Sequence, residues 1–292
     1  MFLSLWIFIQ IVVESLPISS SGHVMLAQKI VNRYGYDQLP FLWEVDFLLH
    51  GPTIIIVMSY FFKAWWRMVF QEKENEKKEI IVGSCNQVRG NKWRERVLEL
   101  GAKRALLVRP ILFIGIVDVI TVLFWWVDFA YYSFVENYFL PIGFLITAFF
   151  LYATCYASEK KDASWLTRDA VVLGLVQGCC FLPGISRFAS TYGAGRLLCS
   201  YNGPTSFALS FLIQLPLICA GFLKGLFALH KRPNIFMKVF AFQSLFVMLI
   251  ASLVSYWLLC IIGRLIEENK LYYLAWYMIL PILMSLFFYK GF

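Results

Sequence analysis

The sequence predicts an all-α integral membrane protein: six transmembrane helices plus two re-entrant broken-helix hairpins, related as an inverted-topology repeat. Three observations lead there. Of the 292 residues, 60% are hydrophobic and 15% are charged, and the mean hydropathy is +0.68, well outside the range of soluble domains. Lysine and arginine gather in alternate loops. Two apolar regions are broken midway by similar Pro, Gly and Ser motifs, recurring at nearly one offset.

The chain opens with the first broken region, 2–33. MFLSLWIFIQIVV runs into ESLPISSSGH, residues 14–23, which sets a carboxylate, a proline, serines and a histidine inside an apolar segment. It is a poor signal peptide, with no basic n-region and no small-residue cleavage site over Pro17–His23. Stretches at roughly 44–66, 105–127, 138–157, 205–229, 236–262 and 271–289 are long and apolar enough to cross, since a span needs about 20 apolar residues. The second broken region is 169–200. Broken helices survive at membrane depth only where they are buried in protein or line a wet cavity.

Charge sets the expected orientation. Residues 67–104 hold ten lysines and arginines, whereas DFAYYSFVEN at 128–137 holds none. The positive-inside rule puts 67–104 in the cytoplasm and 128–137 outside. SEKKDASWLTR and GRLIEENK then lie inside and both termini outside; the basic HKRPN at 230–234 is an exception. The net charge of +8 follows this loop pattern and does not indicate a nucleic-acid partner. The basic loop is either solvated or in touch with anionic lipid. Seven cysteines, six of them in apolar segments, read as small buried hydrophobes and not as disulfides or metal ligands.

LPISS at 16–20 and LPGIS at 182–186 share the pattern LPxxS at an offset of 166, and FLLHGPTII at 47–55 matches FLIQLPLIC at 211–219 at an offset of 164. Each half is a hairpin followed by three spans. Three is odd, so the halves are inverted, the plan in which sites form at the midplane between discontinuous helices. The chain is thus a single membrane domain. Repeat one is 1–127 with its hairpin at 2–33 and the cytoplasmic loop 67–104; repeat two is 138–292 with its hairpin at 169–200.

Both breaks start helices with serines, which satisfy free N–H groups. Helix starts also favour anions. Ser19, Ser20, Ser21 and Gly22 at the first, and Gly184, Ser186 and Arg187 at the second, therefore suit a phosphate on a partly apolar ligand. Arg187 is a phosphate ligand, a snorkelling arginine or a structural partner of Glu14. Gln10 and Glu14 share a helix face. They hold a divalent cation through oxygen, Glu14 acts as a base, or they join helices structurally. His23, about a turn after Ser20, is a base or proton donor or a plain hydrogen-bonder. Thr191 can add a hydroxyl. Asp46 and His50 are a supporting pair or an interfacial one. Asp118 and the 71–104 loop gain no role.

At these residues the chain resembles the undecaprenyl-diphosphate phosphatases, the bacitracin-resistance phosphatases of bacterial envelopes. QIVVESLPISSSGH is similar to the family's first signature, PGISRFAST to its second, and DFLLHGPT to its acidic–x–x–x–His/Gln stretch before Gly–Thr. Phe188 and Pro52 stand where the family usually has serine and glycine, and Gln10 replaces the first acid. The resemblance implies hydrolysis of undecaprenyl diphosphate to the monophosphate in the bacterial cytoplasmic membrane, with a site open to the outer side. It also implies a divalent cation, Mg or Ca, near Glu14. Arg187 would hold the phosphate, Ser20 would be nucleophile or donor, and His23 would be proton shuttle. A homodimer is left open. The alternative is a prenyl-phosphate transporter without hydrolysis, because inverted repeats with broken helices are also transporter architecture.

Overall fold

The protein is described here from a computed structural model, in which residues 2–33, 42–70, 92–157 and 165–289 are described. These residues form helices joined by turns. In order they are α1 Phe2–Glu14, α2 Ser20–Arg33, α3 Leu42–Phe70, α4 Lys92–Ala153, α5 Thr167–Cys179, α6 Arg187–Leu197, α7 Gly203–Leu212, α8 Leu215–His230, α9 Pro233–Val239, α10 Phe242–Glu267, α11 Tyr273–Tyr277 and α12 Ile279–Tyr289. Among them, Glu44–Val69, Phe139–Tyr156, Gly203–His230 and Phe242–Glu267 are long and apolar enough to cross a bilayer.

Proline and left-handed residues punctuate these helices. Pro204, Pro216 and Pro233 each lie in the first turn of a helix, where the missing N–H has no partner to lose. Asn202 caps α7 by accepting the N–H of Thr205 at 2.8 Å. Asn269 closes α10 at φ 53, and the Lys270 N–H reaches back to the Leu265 carbonyl at 2.6 Å, a left-handed helix stop.

Residues 128–137, expected to connect two spans on the outer side, are helical, for α4 runs from Lys92 to Ala153. DFAYYSFVEN lowers hydropathy but contains neither glycine nor proline, so nothing in it stops a helix. Along α4, Phe113 meets Trp165 and Phe124 faces Gly178, while further on Gly143 faces the Pro183 carbonyl and Phe150 faces Gly193. The α4 helix therefore flanks α5 and α6 in turn. Those two arms fold back on each other, because the Tyr201 hydroxyl donates to Asp169 Oδ2 at 2.6 Å.

α3 and α8 pair antiparallel. Arg232 meets Glu44 at 3.4 Å at one end, so part of the HKRPN charge is neutralised. Towards the other end of α3, Trp65 Nε1 donates to the Ala208 carbonyl of α7 at 2.7 Å. α10 packs on α1, where Ser255, midway along α10, meets Ser15. Its outer stripe is apolar: Leu253 is 65% exposed and Trp257 63%, as expected of a helix solvated by lipid. Phe61, Phe188, Phe207 and Phe211 form an aromatic core whose contacting ring centroids are 4.7–5.7 Å apart. Cys180 and Cys199 are buried as expected, but Cys155 and Cys179 are exposed; Cys85 and most of the 67–104 loop lie outside the described residues.

Candidate active site

The first turn follows Glu14, the last residue of α1. Pro17 has no N–H to continue the ladder. Ser19 takes φ 67, and its Oγ accepts the N–H of Gly22 at 3.2 Å, capping α2. At the second turn Gly184 takes φ 88, and Ser186 caps α6 by accepting the N–H of Ala189 at 3.2 Å. The caps thus correspond as Ser19 with Ser186, one residue off the LPxxS match. Thr147 of α4 holds the second turn by donating to the Gly184 carbonyl and accepting the Ser186 N–H, both at 2.8 Å.

The turns touch. A Cβ on Gly22 would lie 2.8 Å from the Gly184 Cα, so only glycine permits this approach. Between them is a cleft of about 360 Å³, mouth included. Glu14, Ser19, Ser20 and Ser21 line one side, Ser186, Arg187 and Phe188 the other, and Gln214 closes it. Residues far apart in sequence, Ser20 and Arg187 among them, therefore share one cavity.

The Glu14 carboxylate sits 3.0 Å from His50 Nδ1 and is 6% exposed. Asp46, a turn before His50, accepts a hydrogen bond from Trp6 Nε1 at 2.7 Å. Arg187 lies within electrostatic reach of Glu14, yet among the described residues its guanidinium has no hydrogen-bond or ion-pair partner. Ser20 Oγ is likewise without one. Two helix starts, an unpartnered guanidinium and the unpartnered Ser20 hydroxyl at one cleft are the elements of an anion receptor.

Other expected residues are placed differently. The Thr191 hydroxyl turns back onto the Arg187 carbonyl at 2.7 Å and does not line the cleft, because a helical threonine bonds the preceding turn when nothing else competes. Gly184 shapes the turn from behind. Neither ring nitrogen of His23 points into the cleft: Nδ1 meets the Ser19 carbonyl at 2.8 Å and Nε2 meets the Tyr277 hydroxyl at 3.0 Å. Gln10 is buried, with Oε1 unpartnered among the described residues, and Asp118 Oδ1 shares that condition away from the site.

Sequence reading missed Gln214, Thr147 and Tyr277. Gln214 was within reach, since it aligns with His50 in the sequence match at the 164 offset. The other two are lone polar residues in apolar helices, with no local signal.

The family model described as Bacitracin resistance protein BacA matches residues 5–283. The chain belongs to the BacA family. Among its relatives is the undecaprenyl-diphosphatase of Treponema denticola, 27% identical over 291 residues, covering 96% of this chain and 94% of that one. The undecaprenyl-diphosphatase of Borrelia hermsii is 28% identical, covering 97% and 95%, and that of Jannaschia sp. is 31% identical, covering 75% and 72%. As a BacA protein with several long apolar helices, the chain is a multi-pass protein of the bacterial cytoplasmic membrane.

Proposed function

We infer that the cleft between the two turns is where this chain works as an undecaprenyl-diphosphate phosphatase. It releases undecaprenyl phosphate and inorganic phosphate, recycling the carrier lipid for the cell wall and conferring bacitracin resistance. The activity comes with the family. Its assignment to these residues is carried by one observation: the unpartnered Arg187 shares a cleft with the Glu14–His50 pair and with the serines that begin two helices.

Arg187 and the N–H groups at the two helix starts hold the diphosphate and receive its charge, which is most of what phosphoryl transfer asks of a protein. Water attacks the terminal phosphorus, the bond from that phosphorus to the bridging oxygen breaks, and the lipid monophosphate leaves. The attacker's proton passes to Glu14, steadied by His50. If Ser20 attacks first, a phosphoserine forms and water releases phosphate from it. Gln10 and Glu14 are the residues that would hold Mg²⁺ or Ca²⁺. The orphaned Gln10 oxygen and a carboxylate one turn away give the all-oxygen donors such ions prefer. No cluster of three or more His, Cys, Asp or Glu residues suited to a metal occurs among the described residues. When bound, such an ion neutralises phosphate charge.

The same reading takes the turns as tips of two hairpins that enter from opposite faces of an inverted repeat with six crossings, its termini and cleft facing outside. Ser15 meeting the middle of α10 supports a tip at mid-membrane, and α4 running in chain order along both opposed arms supports two crossings within it. In a cysteine-free background, Ser133→Cys is expected to label with an impermeant reagent in intact cells and Asn75→Cys to be spared; the reverse pattern inverts the orientation.

The function is tested by phosphate release from undecaprenyl diphosphate by the purified protein, with divalent cation and with chelator. Release abolished in Arg187→Ala supports the site. Release by that variant at the unmodified rate moves the chemistry elsewhere, and lipid translocation in vesicles without release makes the protein a transporter.

A further inference from the structure

The imidazole of His23 is committed on every side. Its Nδ1 lies 2.8 Å from the Ser19 carbonyl, and its own backbone N–H donates to the same oxygen at 3.1 Å. A carbonyl only accepts, so Nδ1 carries the ring proton. Nε2 of the neutral ring is then an acceptor, and the Tyr277 hydroxyl, 3.0 Å away, donates to it. The Tyr277 ring lies nearly parallel to the imidazole, at 5.9 Å and 9°, while Phe144 meets it edge-on at 5.2 Å and 71°.

Ser19 is the residue that gains from this hold. Its φ of 67 is a left-handed conformation that residues with a Cβ avoid. It persists where the surroundings over-determine it. Here they do: Gly22 donates to the Ser19 side chain, and His23 donates twice to its carbonyl. Ser20, the next residue, lines the cleft.

We infer that Tyr277 is a positioning residue for the cleft. It holds His23 in the Nδ1–H tautomer, and His23 pins the Ser19 carbonyl so that the left-handed turn delivers Ser20 to the phosphate. This rests on the reading of the cleft as the phosphate site. His23 therefore acts through geometry, and proton traffic falls to Glu14.

The test uses the purified full chain, undecaprenyl diphosphate, and kcat, KM and pH profiles for Y277F, H23N, H23A, the double variant H23A/Y277F and R187A. Removing one hydrogen-bond partner is expected to lower kcat of Y277F about tenfold, with KM within about twofold and an unchanged pH profile. H23N keeps a donor near the Nδ1 position, so it retains activity that H23A loses. Because Tyr277 acts only through His23, the double variant is no slower than H23A. Nitrogen NMR of the three histidines, read on folded protein with the His23 signals assigned by their loss in H23N, is expected to show the His23 ring as Nδ1–H in the unmodified chain and as a tautomer mixture in Y277F, while His50, whose Nδ1 faces the Glu14 carboxylate, keeps its Nδ1 proton in both. Y277F at the unmodified rate, a double variant showing additive losses, or a His23 ring carrying its proton on Nε2 overturns the inference. So does H23N as inactive as H23A with a limb of the pH profile gone, which makes His23 a proton shuttle. An active R187A, by contrast, overturns the cleft reading itself.

Discussion

The turn after α1 bends through a serine at φ 67, whereas the turn after α5 bends through a glycine at φ 88. The second has no choice: a Cβ on Gly184 would lie 2.6 Å from the Leu140 carbonyl and 2.8 Å from the Phe144 nitrogen. The first has room for a side chain and uses it, since Ser19 Oγ caps α2. Both turns end in a serine cap that aims a helix start at the cleft. Their charges are opposite. The first brings Glu14 with His50; the second brings Arg187 with neutral neighbours, and the residue that matches His50 in sequence at the 164 offset is the uncharged Gln214, bonded to Thr191 at 3.4 Å. In the proposed function these two similarly capped turns supply two helix starts that face the cleft, and their different side chains make one the acid–base side and the other the phosphate clamp.

The largest expected effect tests that division. Arg187→Ala should weaken lipid binding and turnover together, because losing a charge-assisted contact in a desolvated site costs about 2–5 kcal/mol, at least about 30-fold in kcat/KM. Arg187→Lys should recover only part, lacking the planar fork. Glu14→Gln should lower kcat strongly while leaving lipid binding within about threefold. Equal loss of binding in both variants, measured with a non-hydrolysed diphosphate lipid, erases the distinction between the halves.

Exchanging the bend residues sharpens the backbone comparison. Gly184→Ala sets a Cβ against backbone atoms at positive φ, and is expected to destabilise the folded protein by about 2–3 kcal/mol. Ser19→Gly relieves a left-handed residue while losing a cap, and the two nearly cancel, to within about 1 kcal/mol. Thermal unfolding in detergent separates the pair; similar losses in both would mean that Ser19 is unstrained.

What could be read from the sequence followed the same split between backbone and side chain. Pro17, Pro183 and the serines announced both turns, since proline and cap chemistry act within a few residues. The lysine and arginine pattern and the hydropathy announced a multi-pass membrane protein. The convergence of the turns was inferable because they recur as a pair. That 128–137 stays helical within α4 was not legible, because hydropathy reports lipid exposure and not helix continuity. Partners such as Thr147 and Tyr277 were beyond reach: Tyr277 lies 254 residues from His23, and nothing local to either marks the contact. Phe188, a departure from the family pattern, became intelligible only as part of the aromatic core beneath the cleft.

The next effect concerns how each turn is suspended. The second hangs from Thr147, which satisfies one backbone acceptor and one backbone donor. Thr147→Val keeps the shape and strands both, so a loss of about 1–3 kcal/mol is expected, with a fall in kcat because Ser186 and Arg187 sit directly on the freed backbone. Unchanged kcat in folded Thr147→Val would show that this turn is held by packing against Gly143 and Phe144 instead.

The smallest effect belongs to the first turn's tether. Ser255 Oγ donates to the Ile11 carbonyl at 3.3 Å, and so accepts from the Ser15 hydroxyl that it meets. Ser255→Ala removes that acceptor, but the group left behind is a rotatable hydroxyl and not a fixed backbone N–H. Hydrogen bonds between membrane helices average about 0.6 kcal/mol, since the released groups find other partners. Ser255→Ala should therefore lower the unfolding free energy by about that much and leave kcat within about twofold, well short of Thr147→Val. Ser19 keeps its own clamps from Gly22 and His23 in the variant, so the geometry at Ser20 should survive. If Ser255→Ala instead matches Thr147→Val in both stability and rate, the first turn depends on α10 for its shape, and the local hydrogen bonds around Ser19 are not what holds it.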